Sequence, residues 1–223
     1  MKKIISFSLW GDDPKYCVGA VKNSDLALIH YPGWICRFHI GTSTPAKYIK
    51  ELQERENVEV VLREESGDWA STLWRFDDAM DSSVEIMISR DTDSRLNERE
   101  KFAVDEWIKS GKSFHIMRDH PYHAIEILAG MFGVRYPTLI NLGALIGGSY
   151  TSDYWQVDQD FLKQKVYPLI KGNCLVHDPF FEKKPFPTVR NIDSQFVGQP
   201  FNADDTEFDP AHSQIIRSLE GRK

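Results

Sequence analysis

The sequence predicts an α/β fold, a mainly parallel central sheet flanked by helices in a single domain, and three observations carry that prediction. Short apolar, strand-like runs alternate with amphipathic helical patterns from residue 4 to about residue 117. Cap-then-proline signals for helix starts, Asp13-Pro14 and Thr44-Pro45, stand between successive runs. The charged segment Arg90-Asp91-Thr92-Asp93-Ser94-Arg95 follows an apolar run directly, so it lies at a strand's carboxyl end, the edge of an open α/β sheet where ligands bind.

Ile4 to Leu9 is the first strand. Lys2 and Lys3 before it imitate the start of a secretory leader, but Gly11-Asp12-Asp13 ends the apolar run too soon for one. A helix follows from Pro14, with Val18, Val21 and Leu28 on its face, up to Tyr31-Pro32-Gly33. Trp34 to Ile40 is the second strand, and the helix after Thr44-Pro45 runs to about Arg55, where Glu51 and Arg55 can pair at i,i+4. Val58 to Leu62 is the third strand. Trp69, Leu73, Phe76 and Met80 then make a helical stripe that leaves Arg75 off the buried face. Val84 to Ser89 is the fourth strand, and Asn97 with Glu100 offers a capping box for a helix through Ile108.

Beyond the strand at Ser113 to Met117 the pattern loosens. Leu142 to Gly148, apolar and glycine-rich, suits a strand approached closely by another backbone or a ligand, with a helix following from about Gln156 to Leu169. From Glu182 onward four of the 11 prolines and several acidic residues break every periodicity. The expected organisation is a domain over residues 1–181 and an extended tail over 182–223, packed on or near it, with at most a short helix near Ser213 to Leu219.

Hydrophobic residues make up 41% of the 223 and charged residues 27%, enough to bury a sizeable core. The formal charge of −6, with no local basic patch, disfavours a nucleic-acid partner. Cys17, Cys36 and Cys174 are odd in number, widely spaced and without a C-x-x-C pair, which argues against a disulfide framework or zinc cluster and predicts a cytoplasmic setting. No stretch reaches the ~20 apolar residues that cross a bilayer, so no transmembrane segment is expected.

Two carboxylates separated by one residue at a strand end, Asp91 and Asp93, can converge on one hard cation whose open positions take phosphate oxygens and water. The same triplet occurs as a solvated loop of helix-capping aspartates. Arg75 and Arg90 can offset diphosphate charge, because guanidinium forks match phosphate oxygens, or can pair with Asp91 or Asp93 and hold the loop.

Leu73-Trp74-Arg75-Phe76, Ser89-Arg90-Asp91-Thr92-Asp93-Ser94-Arg95, Arg99-Glu100, Met117-Arg118-Asp119-His120-Pro121 and Gly130-Met131-Phe132-Gly133 together resemble the succession in small stand-alone GT-A glycosyltransferases of bacteria and large DNA viruses. The resemblance spans roughly residues 4 to 181. It implies a metal-dependent transfer from a nucleotide-diphosphate sugar, a UDP-sugar in preference to a GDP-sugar, to a glycan or other hydroxyl acceptor. Asp93 would ligate the metal directly and Asp91 would lie near the ribose or the metal, with Thr92 beside the donor. His177 stands where the family completes the metal shell, and an imidazole there favours Mn²⁺ over Mg²⁺; the alternative is a turn cap before Pro179.

The same resemblance places the nucleotide base against Ser8 and Trp10, with Trp10 as a core residue the alternative. It places an inverting base at Asp158, with Asp153 and Asp160 as rivals and helix capping the plain explanation for all three. Asp119 and His120 suit vicinal hydroxyls of an acceptor or form a turn anchored by Pro121. Two rival readings remain. One is a haloacid-dehalogenase-type phosphatase, whose D-x-D normally ends the first strand rather than the fourth. The other is a non-catalytic sugar- or metal-binding module.

Overall fold

In the computed structural model of the protein, residues 1–147, 153–190, 195–219 and 221 are described. Alternation along β1 (Lys2–Leu9) sets the layers. Ile5, Phe7 and Leu9 face one apolar layer together with Cys17, Ala20, Leu52, Val104 and Trp107. That layer holds helices α1 (Pro14–His30), α2 (Ala46–Gln53) and α3 (Glu98–Ser110) against the sheet. Ile4 faces the opposite layer with Phe76, Met87, Phe132, Phe161 and Val166.

On that second face β1 carries serines, and they let another backbone come close. The Ser6 hydroxyl donates to the Arg75 carbonyl at 2.7 Å, while the Ser8 hydroxyl accepts the Arg75 N–H at 3.1 Å and donates to the Thr72 carbonyl at 3.3 Å. The remaining strands are β2 (Ile35–Ile40), β3 (Val58–Leu62), β4 (Val84–Ser89), β5 (Phe114–Met117), β6 (Phe132–Arg135) and β7 (Cys174–His177). The seven-stranded sheet runs β3-β2-β1-β4-β6-β5-β7, parallel from β3 to β4 and between β5 and β7, with β6 antiparallel to both its neighbours.

The segment Trp69–Ala79 is a 3₁₀ helix rather than an α-helix, and it corrects the expected stripe. Its start is fixed by a reciprocal cap between Asp68 and Ser71. With three residues per turn, side chains three apart share a ridge. Leu73, Phe76 and Ala79 form the buried ridge, while Trp69, Thr72 and Arg75 form the next. Arg75 is 4% exposed, not on an outer face, because its backbone lies against Ser6 and Ser8 of β1 and its guanidinium against Asp91 and Asp158, whereas Trp69 at the helix start is 44% exposed. The capping box expected at α3 is half made: Asn97 accepts the Glu100 N–H at 2.9 Å, but the Glu100 carboxylate turns to Arg90 and Tyr31.

Leu142–Gly147 is a short helix, α4, where a strand was expected, and Gly148 lies outside the described residues. A short apolar run does not distinguish helix from strand by periodicity. The expected later helix is α5 (Val157–Phe161), a π turn at Leu162–Val166 and α6 (Tyr167–Ile170). The tail returns over the domain. Phe186 and Val197 join Ala103, Met117 and Met131 in a third apolar cluster, and α7 (Pro210–Leu219) buries Ser213 and Ile216. Among the described residues no helix is long and apolar enough to cross a membrane, and Cys17, Cys36 and Cys174 are free thiols.

Candidate active site

The carboxyl ends of β1 and β4 open into a cavity of about 430 Å³ whose walls include Trp10, Arg75, Asp91, Asp93, Trp155 and Asp158. That volume lies in the range of small-molecule sites, roughly 300–1,000 Å³.

The loop after β4 is held by many backbone contacts. Asn23 of α1 donates to the carbonyls of Thr92 (3.1 Å) and Ser94 (2.8 Å) and accepts the Leu96 N–H at 3.0 Å. The Ser94 hydroxyl donates to the Asp91 carbonyl at 2.8 Å. From the tail, the Phe201 N–H donates to the Asp93 carbonyl at 2.8 Å. Two glycines permit the packing: a Cβ at Gly19 would lie 2.1 Å from the Thr92 carbonyl oxygen, and one at Gly130 would lie 1.9 Å from Asp91 Oδ2.

Within this frame Arg75 is the hub. Its Nη1 donates to the Arg90 carbonyl at 3.0 Å and to Asp91 Oδ1, and its Nη2 donates to Asp158 Oδ2 at 2.8 Å. Asp158 sits in the first turn of α5, where its Oδ1 also accepts the Gln159 N–H. Burial pushes the Asp158 carboxyl above the usual range; Arg75 opposes that shift and the Asp91 charge adds to it. Asp93 pairs with Lys15 Nζ at 3.1 Å, and burial followed by the Asp91 charge raises its carboxyl too. The Lys15 ammonium lies over the rings of Tyr16 (4.3 Å) and Phe208 (4.4 Å), so the tail touches this pair as well.

Asp91, Thr92, Asp93, Arg75, Ser8, Trp10 and Asp158 are brought together around the cavity. Ser8 is engaged with the 3₁₀ helix, and Trp10 meets Trp69 and Trp74 edge-on at 6.4 Å. Asp153 and Asp160, the rivals of Asp158, are otherwise occupied: Asp153 accepts the Trp69 N–H at 2.9 Å and Asp160 accepts the Tyr154 hydroxyl.

Four expected residues lie elsewhere. Arg90 is buried, with Nε on Glu100 at 2.7 Å and Nη1 on the Ser89 and Phe132 carbonyls. His177 ends β7, at the far edge of the sheet from Asp93. It contacts His115 at 2.8 Å and Glu106 at 3.3 Å, because its strand pairs with β5 and not with β4. Asp119 is fully buried and accepts from Arg99, Arg190 and the Val197 N–H. His120 packs among His123, His212 and Phe196, with both ring nitrogens bound to backbone. Asp119 and His120 thus dock the tail.

Lys15, Trp69, Thr72, Trp155 and Gln156 went unremarked as site residues in the sequence. The one signal for Trp155 and Gln156 was their closeness to Asp158. Among the described residues no group of three or more His, Cys, Asp or Glu side chains is placed to hold a metal ion. Asp91 and Asp93 nonetheless fit one as a pair: both are oxygen donors on the cavity wall, and their mutual repulsion is what a cation would relieve.

No protein-family model matches the sequence, and no curated protein matches it. Solved structures do. The chain is similar to a glycosyltransferase involved in the glycosylation of the major capsid of PBCV-1, at 19% identity and a TM-score of 0.52, over 79% of this chain and 82% of that one. It is similar to S. aureus TarS 1–349, at 12% identity and a TM-score of 0.50, over 79% of this chain and 58% of that one. It is similar also to the bifunctional WbbM glycosyltransferase in its apo structure, at 9% identity and a TM-score of 0.52, over 80% of this chain and 39% of that one. At these identities the likeness establishes the fold, a GT-A-type α/β domain.

Proposed function

We propose that this GT-A-fold chain is a glycosyltransferase moving a sugar from a nucleotide-diphosphate donor, a UDP-sugar in preference to a GDP-sugar, to an acceptor hydroxyl, with a divalent cation held by Asp91 and Asp93. The observation that carries the reading is the convergence of Asp91, Asp93, Arg75 and Asp158 on one cavity at the carboxyl ends of β1 and β4. A phosphatase of the haloacid-dehalogenase type normally carries its D-x-D at the end of the first strand, and here the triplet follows β4. With His177 distant, the remaining donors are all oxygen and suit Mg²⁺ as well as Mn²⁺.

When bound, the cation supplies Lewis-acid stabilisation to the departing diphosphate. Arg75 presents a guanidinium at the same wall and adds charge-assisted hydrogen bonds to phosphate oxygens. In an inverting transfer Asp158 takes the proton of the acceptor hydroxyl as its oxygen bonds to the anomeric carbon. The bond from that carbon to the diphosphate oxygen breaks, and its electron pair leaves with the nucleotide diphosphate. Asp158 keeps a lone pair for this on each oxygen, since Oδ2 is used once by Arg75 and Oδ1 once by Gln159. Trp10 offers the nucleotide base a flat apolar wall.

Calorimetric titration with UDP- and GDP-sugars, with and without Mn²⁺ or Mg²⁺, tests the proposal. The wild type is expected to bind a donor only with metal, and Asp93→Ala is expected to lose that affinity while melting normally. Unchanged affinity in the variant removes Asp93 from the metal site.

A further inference from the structure

We propose that the acceptor is a neutral pyranose, stacked on the indoles of Trp155 and Trp69 at the cavity mouth beside Asp158. The inference rests on the transferase reading and adds the acceptor's chemical class. It also moves the acceptor from the Asp119–His120 turn, which is occupied by the tail, to the wall that carries Asp158.

Trp155 is 67% exposed, and Trp69 is partly so, yet both line the cavity that holds Asp158. Two indoles lining one cavity are a different matter from scattered surface apolar residues. Trp69 is also held. Its backbone N–H donates to Asp153 Oδ1 at 2.9 Å, which ties the start of the 3₁₀ helix to the segment bearing Trp155. The Trp69 ring meets Trp10 at 83°, which fixes its orientation. Between Trp155 and α5 stands Gln156 with φ of +76°, a left-handed conformation unfavourable for a residue with a Cβ, and its side chain makes no capping hydrogen bond. That turn stands between two residues that both line the cavity, Trp155 and Asp158. Backbone strain of this kind collects where a ligand is gripped.

The ligand's class follows from shape and charge. A pyranose ring presents a flat face of C–H groups that an indole covers well, and hydroxyls at its rim that neutral amides such as Gln156 and Gln159 can bind. The cavity is lined by five carboxylates, on Asp12, Asp13, Asp91, Asp93 and Asp158, against two positive side chains, the guanidinium of Arg75 and the Lys15 ammonium that pairs with Asp93. The cation and Arg75 are matched to the donor diphosphate, so a second anion on the acceptor would meet uncompensated negative charge. A neutral sugar meets none.

Saturation-transfer NMR on the full chain with UDP and Mn²⁺ tests this, using methyl glycosides of neutral hexoses, glycerol 3-phosphate and a serine/threonine peptide as probes. The expected result is transfer to the ring C–H protons of a pyranoside. Its affinity should weaken about 2- to 12-fold in Trp155→Ala, the loss of one aromatic contact, and recover in Trp155→Phe. Because Trp155 is exposed, its variants are expected to melt with the wild type, and UDP affinity, measured separately, is expected to hold. Binding of no pyranoside, equal binding in Trp155→Ala, or preference for glycerol phosphate or peptide overturns the proposal. If UDP fails to bind while a pyranoside still does and still needs Trp155, the transferase reading fails and the carbohydrate platform stands.

Discussion

Arg75 and Arg90 are both buried and joined by one hydrogen bond, yet they do different work. Arg90 spends its guanidinium on Glu100 and on the carbonyls of Ser89 and Phe132, and Glu100 in turn accepts the Tyr31 hydroxyl, all of it inside the core. Arg75 holds Asp91 and Asp158, both on the cavity wall, and the Asp91 side chain is 47% exposed. Burial and charge are the same for both arginines, so neither separates a structural role from a functional one. What separates them is whether the partner carboxylate reaches the cavity.

The largest effect is expected on the partner side of that comparison. Asp158→Asn keeps size and most hydrogen bonds but removes the proposed base, so kcat should fall roughly 10²–10⁴-fold. Donor affinity, measured by calorimetry independently of KM, should barely move; near-normal transfer would exclude the base role.

Next comes Arg90→Ala, which leaves Glu100 as an uncompensated buried charge. It is expected to cost about 3–5 kcal/mol, read as a lowered denaturation midpoint in urea. Arg75→Ala is expected to weaken donor binding about 10-fold or more, the loss of hydrogen bonds to a charged group worth roughly 1.5–3 kcal/mol. This variant loses some stability too, because Asp158 is left as a buried carboxylate, but less than Arg90→Ala, since Asp91 retains water and Asp158 takes up a proton more readily once Arg75 is gone. Equal midpoint losses in the two variants, with donor affinity kept in Arg75→Ala, would erase the distinction.

The smallest effect is a shift in pH dependence. Arg75 holds the Asp158 carboxyl down against burial and the Asp91 charge. Removing Arg75 should therefore move the acidic limb of the kcat profile to higher pH, because Asp158 acts as a base only when ionised. The sign for stability is opposite to that for activity. A carboxyl raised by folding contributes stability below its unfolded pKa and loses it as pH rises through the folded one. Arg90→Lys should leave the acidic limb in place, and a limb unmoved in Arg75→Ala would detach Asp158 from it.

The first half of the fold was legible because β1 to β4 and α1 to α3 are built from repeats of local pattern, with caps at Asp13 and Asn97 that the structure shows making their hydrogen bonds. The burial of Arg75 was not legible because the groups that cover it, Ser6, Ser8, Asp91 and Asp158, come from distant parts of the chain. The strands β6 and β7 have four residues each, too few to show alternation. Asp91 and Asp93 could be named because they directly follow a regular strand, whereas Asp158 was named on the resemblance. The surroundings of His177 and Asp119 could not, because they depend on which strand pairs with β5 and on arginines far along the chain.

The hydrogen bond from Phe201 to Asp93 sets an order of events. The strands β1 to β4 and the Asn23 contacts to the loop after β4 lie within residues 2–96, but the Arg95–Asp205 ion pair and the ring of Phe208 over Lys15 come from more than 100 residues further along the chain. Contacts of such long range close late, since the intervening chain must be ordered first. The wall at Asp93 and Lys15 is therefore completed only when the segment bearing Phe201, Asp205 and Phe208 has packed against it.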